Sequence, residues 1–137
     1  MPRTITLAVV LPRPPARLYA MYLNAREHSA FTGSPVRIAG RTGASFEAFG
    51  GALTGKILQL VPNRLIVQSW RSTEFAKRDL DSTLILSFWK DPGGGRIELT
   101  HVNVADSDFA GVSEGWPKYY WIPWRAYLEK RARPPNR

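Results

Sequence analysis

Apolar and polar residues alternate along the first part of the chain. Ile5, Leu7 and Val9 share one side of residues 4–11, and a period of two is typical of a β-strand. Pro12 ends this pattern, because a proline has no N–H to donate to a neighbouring strand. The pattern therefore predicts a first strand over residues 4–11.

Two short helices are predicted next. Pro14 and Pro15 suit the first turn of a helix, where the missing N–H costs nothing, and apolar residues then recur at helical spacing. A second helix is predicted over about residues 25–31, because Asn24 is a good N-cap. It is expected to end before the breaker Thr-Gly-Ser-Pro at residues 32–35.

The middle of the chain is a succession of strand patterns separated by turn residues. The turns at residues 50–51, 62–63 and 91–95 are short enough to join neighbouring antiparallel strands as hairpins. No helical pattern interrupts the series, so an antiparallel meander is expected rather than βαβ units. The predicted strands span residues 36–39, 44–49, 52–61, 64–72, 82–90 and 96–104.

Six large aromatic residues lie between positions 115 and 129. After a polar loop at residues 105–113, a helix is predicted from about residue 114 to residue 131. Pro117 falls in its predicted first turn, whereas Pro123 lies in its interior and predicts a bend. The residues at helical spacing predict an apolar stripe against the sheet: Trp116, Tyr120, Trp124, Tyr127 and Leu128.

This order of elements predicts an α+β fold of the helix-grip type. A seven-stranded antiparallel sheet is expected to curl around the long C-terminal helix, with two short helices after the first strand. One domain is expected over residues 1–132, with a disordered tail at residues 133–137, whose prolines cannot continue a helix. Such a sheet offers more apolar surface than one helix covers, which favours a cavity between them.

Composition narrows the classes of function. The 137 residues include no cysteine, which excludes disulfides, thiolate metal sites and a cysteine nucleophile. The net charge of +8 comes from basic residues scattered over every element, which favours a solvated surface over a nucleic-acid site. No apolar stretch approaches the roughly 20 residues of a membrane span, so we expect a cytoplasmic protein without a membrane span and without a nucleic-acid partner.

Four motifs occur in order along the chain. They are Glu-His-Ser-Ala-Phe-Thr at residues 27–32, the pair Gly43 and Phe46, Leu-Val-Pro-Asn-Arg-Leu-Ile-Val-Gln-Ser-Trp-Arg at residues 60–71, and Gly-Trp-Pro-Lys-Tyr-Tyr at residues 115–120. Together they resemble the C-terminal domain of the heat shock protein 90 ATPase activators. The resemblance runs from about Ile5 to Leu128. It does not extend to the separate N-terminal domain of the eukaryotic co-chaperones.

That domain belongs to the START-like or SRPBCC superfamily, which also includes the birch-pollen allergen type. The resemblance implies the helix-grip fold and a stress-related, chaperone-associated role. Other members of the superfamily carry lipids and hormones, cyclise polyketides or form ring-hydroxylase subunits. The superfamily therefore implies the fold and leaves the function open.

Candidate catalytic chemistry is sparse. His28 and His101 are too few for a multi-histidine metal site, and no metal or cofactor is predicted. No Gly-x-Ser-x-Gly motif occurs, and the glycines at residues 93–95 lack the residues of a phosphate loop, so no catalytic residue is predicted. Alternation places His101 and Asn103 on the apolar face of the last strand. There the imidazole could meet a ligand or hydrogen-bond within the core.

Three hypotheses of function follow. The first is a non-enzymatic protein, monomeric or homodimeric, that binds a small hydrophobic or aromatic ligand between sheet and helix. The second is a chaperone-associated module that acts through its surface, and the third is an enzyme with His101 as acid or base. The cavity candidates are Phe46, Trp70, Phe88, His101, Asn103, Trp116, Tyr120 and Trp124. The aromatic members could instead fill the core.

Overall fold

A single antiparallel sheet forms the larger part of the fold. The computed structural model describes residues 2–132. Its strands are β1 (Arg3–Leu11), β2 (Val36–Arg37), β3 (Ser45–Ala48), β4 (Leu53–Val61), β5 (Leu65–Ser72), β6 (Ser82–Asp91) and β7 (Gly94–Val104). Their spatial order is β1-β7-β6-β5-β4-β3-β2, and every neighbouring pair is antiparallel. The predicted seven-stranded meander is therefore confirmed.

Helices lie at both ends of the meander. The short helices α1 (Pro15–Leu23) and α2 (Ala25–Thr32) separate β1 from β2. The C-terminal helix consists of α3 (Phe109–Gly115), a π-helical segment (Trp116–Trp121) and α4 (Ile122–Ala132), which follow one another without a break. The predicted helix-grip class, with a curled sheet, a long C-terminal helix and two short helices, is confirmed.

The boundaries of the short helices follow their capping residues. Pro15 opens α1 at its first position. The side chain of Asn24 accepts the N–H of Glu27 at 2.9 Å and so caps α2, as its residue type predicted. Gly33 ends α2 in the left-handed conformation, with φ of 78°.

The C-terminal helix begins earlier than the sequence pattern predicted. The expected loop at residues 105–113 contains only a short 3₁₀ turn (Asp106–Asp108), and α3 starts at Phe109. Val112 is the buried residue of α3, and one buried position is too weak a periodic signal to mark a helix. As a result, Pro117 lies well inside the helix, and its predicted place in a first turn is wrong.

The helix accommodates Pro123 by widening. An interior proline clashes with the carbonyl group four residues earlier. Here the N–H of Ile122 bonds to the carbonyl of Pro117, five residues back, as in a π-helix. The wider turn brings Trp116 and Trp121 to the same side, with stacked rings 5.6 Å apart. The buried stripe thereby gains Trp121, which its spacing did not predict.

The structure shows which faces of β5 and β6 point inward, a choice that the sequence left open. The core face of these strands consists of Ile66, Gln68, Trp70, Leu84, Leu86 and Phe88. Trp89 lies on the opposite face, where 40% of its surface is exposed and the guanidinium of Arg64 lies over its ring.

The alternation of β7 breaks near its end. Asn103 has φ of 61°, and the pairing with β1 shifts by one residue beyond His101. This bulge turns Val104 into the core and leaves Asn103 half-exposed, with its amide donating to the carbonyl of Asp81 at 3.1 Å. The prediction that Asn103 shares the inner face with His101 is therefore wrong, because one extra residue reverses the alternation.

The predicted tail at residues 133–137 lies outside the described residues. Between residues 2 and 132, none of the helices is long and apolar enough to cross a membrane.

Candidate functional site

A cavity of about 420 Å³ lies between the first half of the C-terminal helix and one end of the sheet. Its walls come from β4, β5, the loop after β5, the 3₁₀ turn Phe49–Gly51, and the residues around α3 and the π-helical segment. Five aromatic side chains line it: Phe49, Trp70, Trp116, Tyr119 and Tyr120. Cavities of this size and apolar character are typical of small-molecule sites.

His101 holds one wall of this cavity in place. It is completely buried, and its Nδ1 lies 3.2 Å from the indole nitrogen of Trp116. Because an indole N–H can only donate, Nδ1 accepts this bond, and the ring proton sits on Nε2. Nε2 then donates to the hydroxyl of Ser82 at 2.8 Å, which donates in turn to the carbonyl of Trp70 at 2.6 Å. Both ring nitrogens are therefore engaged.

His28 holds a second wall in the same way. Its Nδ1 donates to the carbonyl of Tyr22 at 2.7 Å, and its Nε2 accepts the hydroxyl of Tyr120 at 2.8 Å. The side chain of Tyr22 makes a separate buried bond, in which its hydroxyl donates to the Oε1 of Gln68 at 2.6 Å. The imidazole also stacks on Phe31, with centroids 5.0 Å apart. Each histidine of the chain thus fixes one aromatic residue of the cavity.

Both imidazoles are neutral at pH 7. Burial lowers the pKa of His28 to about 4, against a weaker opposing effect of its bond to Tyr22, and burial lowers the pKa of His101 to about 3. Burial also raises the pKa of Tyr120 far above its ordinary value. The hydrogen bonds around the two histidines therefore carry no charge, and each ring has one donor and one acceptor nitrogen as its partners require.

The remaining ionisable residues of the lining are carboxylic acids. Asp108 stands at the N-terminal end of α3, and Glu74 follows β5. Burial raises the pKa of Asp108, the side chain of Ser72 lowers it by hydrogen bonding, and the charge of Glu74 raises it further. Gly111 gives Asp108 its room, because a Cβ there would lie 2.8 Å from the Oδ1 of Asp108. The cavity is therefore aromatic along its walls and acidic at one side.

The structure divides the predicted cavity residues into two groups. Trp70, Trp116 and Tyr120 line the cavity. His101 does not line it and lies behind the wall, hydrogen-bonded to Trp116 and with its ring edge-on to that of Trp70, 4.6 Å between centroids.

The other candidates lie elsewhere. Phe46, Phe88 and Trp124 are buried in the core, and Trp124 stacks on Phe31 with centroids 4.1 Å apart. Asn103 is turned outward by the bulge. The periodic patterns of the strands and helices correctly identified most of the buried residues. Only some of these residues line the cavity, because the buried faces extend beyond it.

Sequence reasoning missed eleven of the fourteen lining residues, among them two aromatic and two acidic ones, and it missed one of the supports of the cavity. Phe49 was assigned to a hairpin strand, and Tyr119 lies off the predicted stripe. Asp108 and Glu74 fall in segments read as loops. His28 carried a signal, because it belongs to the motif at residues 27–32 and shares the buried face of α2 with Phe31.

Comparisons with known proteins agree with this architecture. Residues 12–129 match the family described as "Activator of Hsp90 ATPase homolog 1-like protein". Over 117 residues, which are 85% of this chain, it is 26% identical to the "Activator of 90 kDa heat shock protein ATPase homolog" of Dictyostelium discoideum and covers 30% of that protein. The chain spans about a third of the length of the curated relatives that it matches.

Solved structures share the fold. The chain is similar to an HSP90 activator from Plasmodium falciparum, with a TM-score of 0.83 and 18% identity over 93% of this chain and 96% of that one. It is also similar to the Aha1 dimer from Colwellia psychrerythraea, with a TM-score of 0.77 and 16% identity over 92% of this chain and 96% of that one. Likeness at these identities shows the fold alone.

Proposed function

The chain belongs to the Activator of Hsp90 ATPase homolog 1-like family, and within that fold we propose that it binds a small hydrophobic or aromatic molecule without transforming it. The site is the cavity of about 420 Å³ between the sheet and the C-terminal helix. The observation that carries the proposal is that two of the aromatic walls, Trp116 and Tyr120, are each fixed by a buried histidine.

Fixed walls favour binding for an entropic reason. A side chain that is ordered before the ligand arrives loses little freedom on binding, so more of the contact energy appears as affinity. Trp116 and Tyr120 also contact each other, with ring centroids 4.8 Å apart. A flat apolar ligand would meet a surface that is already assembled.

A space-filling substitution tests the proposal. Ala52 lines the cavity and has helix-region dihedral angles that a larger residue can adopt. Ala52→Phe is expected to abolish binding of small aromatic compounds in calorimetric titrations and to leave the melting temperature close to that of the wild type. The matched control is Ala126→Phe, at an exposed position of α4, which should bind as the wild type does.

A second measurement covers ligands that a compound library lacks. Native mass spectrometry of protein purified from its own host is expected to show a retained small molecule on the wild type and on Ala126→Phe but not on Ala52→Phe. The proposal would be abandoned if no molecule is retained and a broad library of aromatic and acyl compounds gives no heat of binding.

Family membership favours a second function, association with a chaperone. The curated relatives are named as activators of the 90 kDa heat shock protein ATPase. Contact through the basic surface of this chain, with its net charge of +8, should give an association rate that falls as salt rises. Binding to the purified 90 kDa heat shock protein of the same host, and its ATPase rate with and without this chain, test this function.

The two functions are separable. Chaperone contact through the surface should survive Ala52→Phe, whereas ligand binding should not. Absence of both chaperone binding and any change in its ATPase rate would remove the second function and leave the first intact.

A further inference from the structure

The charge of the cavity is opposite to that of the whole chain. The sequence has 19 lysine and arginine residues against 11 aspartate and glutamate residues. In the part of the chain that the structure describes, no lysine or arginine lines the cavity, and its acidic lining residues are Glu74 and Asp108. The charged residues of the cavity lining are therefore acidic, although the net charge of the chain is positive.

The two carboxylates have no cationic partner of their own. Across residues 2–132, neither Glu74 nor Asp108 takes part in an ion pair, although acidic residues close to them do. Asp106 pairs with Arg3 at 3.2 Å, and Asp81 pairs with Arg71 at 3.1 Å. Arg3 and Arg71 are thus paired with acids other than Glu74 and Asp108.

The aromatic walls also suit a positive charge. The face of an aromatic ring attracts a cation, most strongly where water is partly excluded. Phe49 and Tyr119 lie 5.7 Å apart between centroids, and Tyr119 already has the ammonium group of Lys118 at 5.2 Å from its centroid. Trp70 and Trp116, 6.4 Å apart, extend the same surface.

Trp70, together with Trp116, supplies the deeply buried indole rings of this aromatic surface. Trp70 is 95% buried, since 5% of its surface is exposed, and it lines the cavity. Its indole N–H has no hydrogen-bond partner among the described residues. That nitrogen is itself inaccessible to water, as are the indole nitrogens of Trp121 and Trp124, so Trp70 presents carbon atoms of its ring to the cavity.

We propose that the ligand is an aromatic amine: a flat ring that carries a protonated amino group, which Glu74 and Asp108 neutralise. This inference rests on the proposed ligand-binding function and specifies its substrate class. The aromatic body contacts the five ring walls, and the ammonium group lies on the acidic side of the cavity.

Three probes that share one ring system test the charge preference. They are 5-methoxytryptamine, 5-methoxytryptophol and 5-methoxyindole-3-acetate, which are cationic, neutral and anionic at pH 7 and have the same ether oxygen. In calorimetric titrations at low salt, the amine is expected to bind at least about tenfold more tightly than the alcohol. The acid is expected to bind more weakly than the alcohol.

Neutralising substitutions locate the effect. The double variant Glu74→Gln with Asp108→Asn is expected to lower the affinity for the amine about tenfold and to leave that for the alcohol unchanged. Glu129→Gln is the control, because it removes one exposed carboxylate that does not line the cavity and lies about 30 Å from Asp108 along the helix.

The outcomes separate this inference from the function on which it rests. Equal binding of amine and alcohol, or an unchanged preference in the double variant, would overturn the amine assignment and leave ligand binding in place. If none of the probes binds and the broad library is also silent, both proposals fall together.

Discussion

At the scale of single residues, the two histidines are structural supports of the cavity. Each has one nitrogen that donates and one that accepts, and each is fully buried. Such an arrangement holds an aromatic partner at a defined angle and leaves no free nitrogen for a ligand. His101 therefore acts on the site through Trp116 rather than by contact with a bound molecule.

The bond between Tyr120 and His28 can be measured by removing one hydroxyl. Tyr120→Phe leaves the Nε2 of His28 buried without a donor, so we expect the free energy of unfolding to fall by about 1–3 kcal/mol. Urea denaturation measures it. Tyr119→Phe is the matched control, because Tyr119 is 49% exposed and its hydroxyl has no hydrogen bond in the described structure. That change should stay within about 0.5 kcal/mol.

Equal losses for the two tyrosine variants would contradict this role of His28. A loss in Tyr120→Phe accompanied by a weaker affinity for aromatic ligands would connect the support to the cavity.

At the scale of elements, β4 and β5 approach each other closely at one glycine. A Cβ on Gly55 would lie 1.9 Å from the carbonyl oxygen of Ser69, a distance that only movement of the backbone can relieve. The hydroxyl of Ser69 accepts the N–H of Lys56 at 2.9 Å, which ties the strands together at the same place. The turn residues predicted these strands, but no local sequence pattern predicted the close approach of Gly55 to Ser69.

Two glycine substitutions should have opposite effects. Gly55→Ala is expected to cost about 3 kcal/mol or more, because the strands must separate. Gly115→Ala is expected to stabilise by about 0.5–1 kcal/mol, because Gly115 is helical and its nearest neighbour, the ring of Tyr119, would be in ordinary contact at 3.5 Å. Thermal and chemical unfolding of both variants checks the signs, and a neutral Gly55→Ala would contradict the close packing.

At the scale of the whole molecule, the buried histidines make stability depend on pH. Unfolding returns each imidazole to a pKa of about 6.5, whereas the folded values are about 4 for His28 and about 3 for His101. Between the folded and unfolded pKa values, the unfolded chain binds more protons than the folded chain. The free energy of unfolding therefore rises with pH in this range, and this stability is lost as the pH falls below about 6.5. The slope from two sites is at most about 2.7 kcal/mol per pH unit.

Denaturant titrations at pH 7.5, 6, 5 and 4.5 measure this slope. His101→Gln is expected to be less stable at pH 7.5 and to show about half the wild-type slope, because one titrating site remains. A wild-type stability that stays level between pH 7 and pH 5 would contradict the burial of both rings.

The sequence predicted the fold further than it predicted the cavity. Periodicity and turn residues identify β1 to β7, because each strand is marked independently of the others. The cavity depends on features with no local signature, namely the π-helical segment, which carries Trp116 and Tyr120, and the early start of the C-terminal helix, which brings Val112 to the lining. These features decide which of the buried aromatic residues face the cavity. The strand pattern therefore selected Trp70, which lines the cavity, and Phe88, which lies in the core, without distinguishing them.

The π-helical segment Trp116–Trp121 also limits how this helix can vary in length. Each residue inserted into or deleted from a helix rotates everything after it by about 100°. A deletion near Pro117 would therefore swing Trp124 and Leu128 out of the core, whereas residues 129–131, which follow Leu128, are exposed and could shift without leaving a buried position. Length changes in variants of this chain are expected to collect at its C-terminal end.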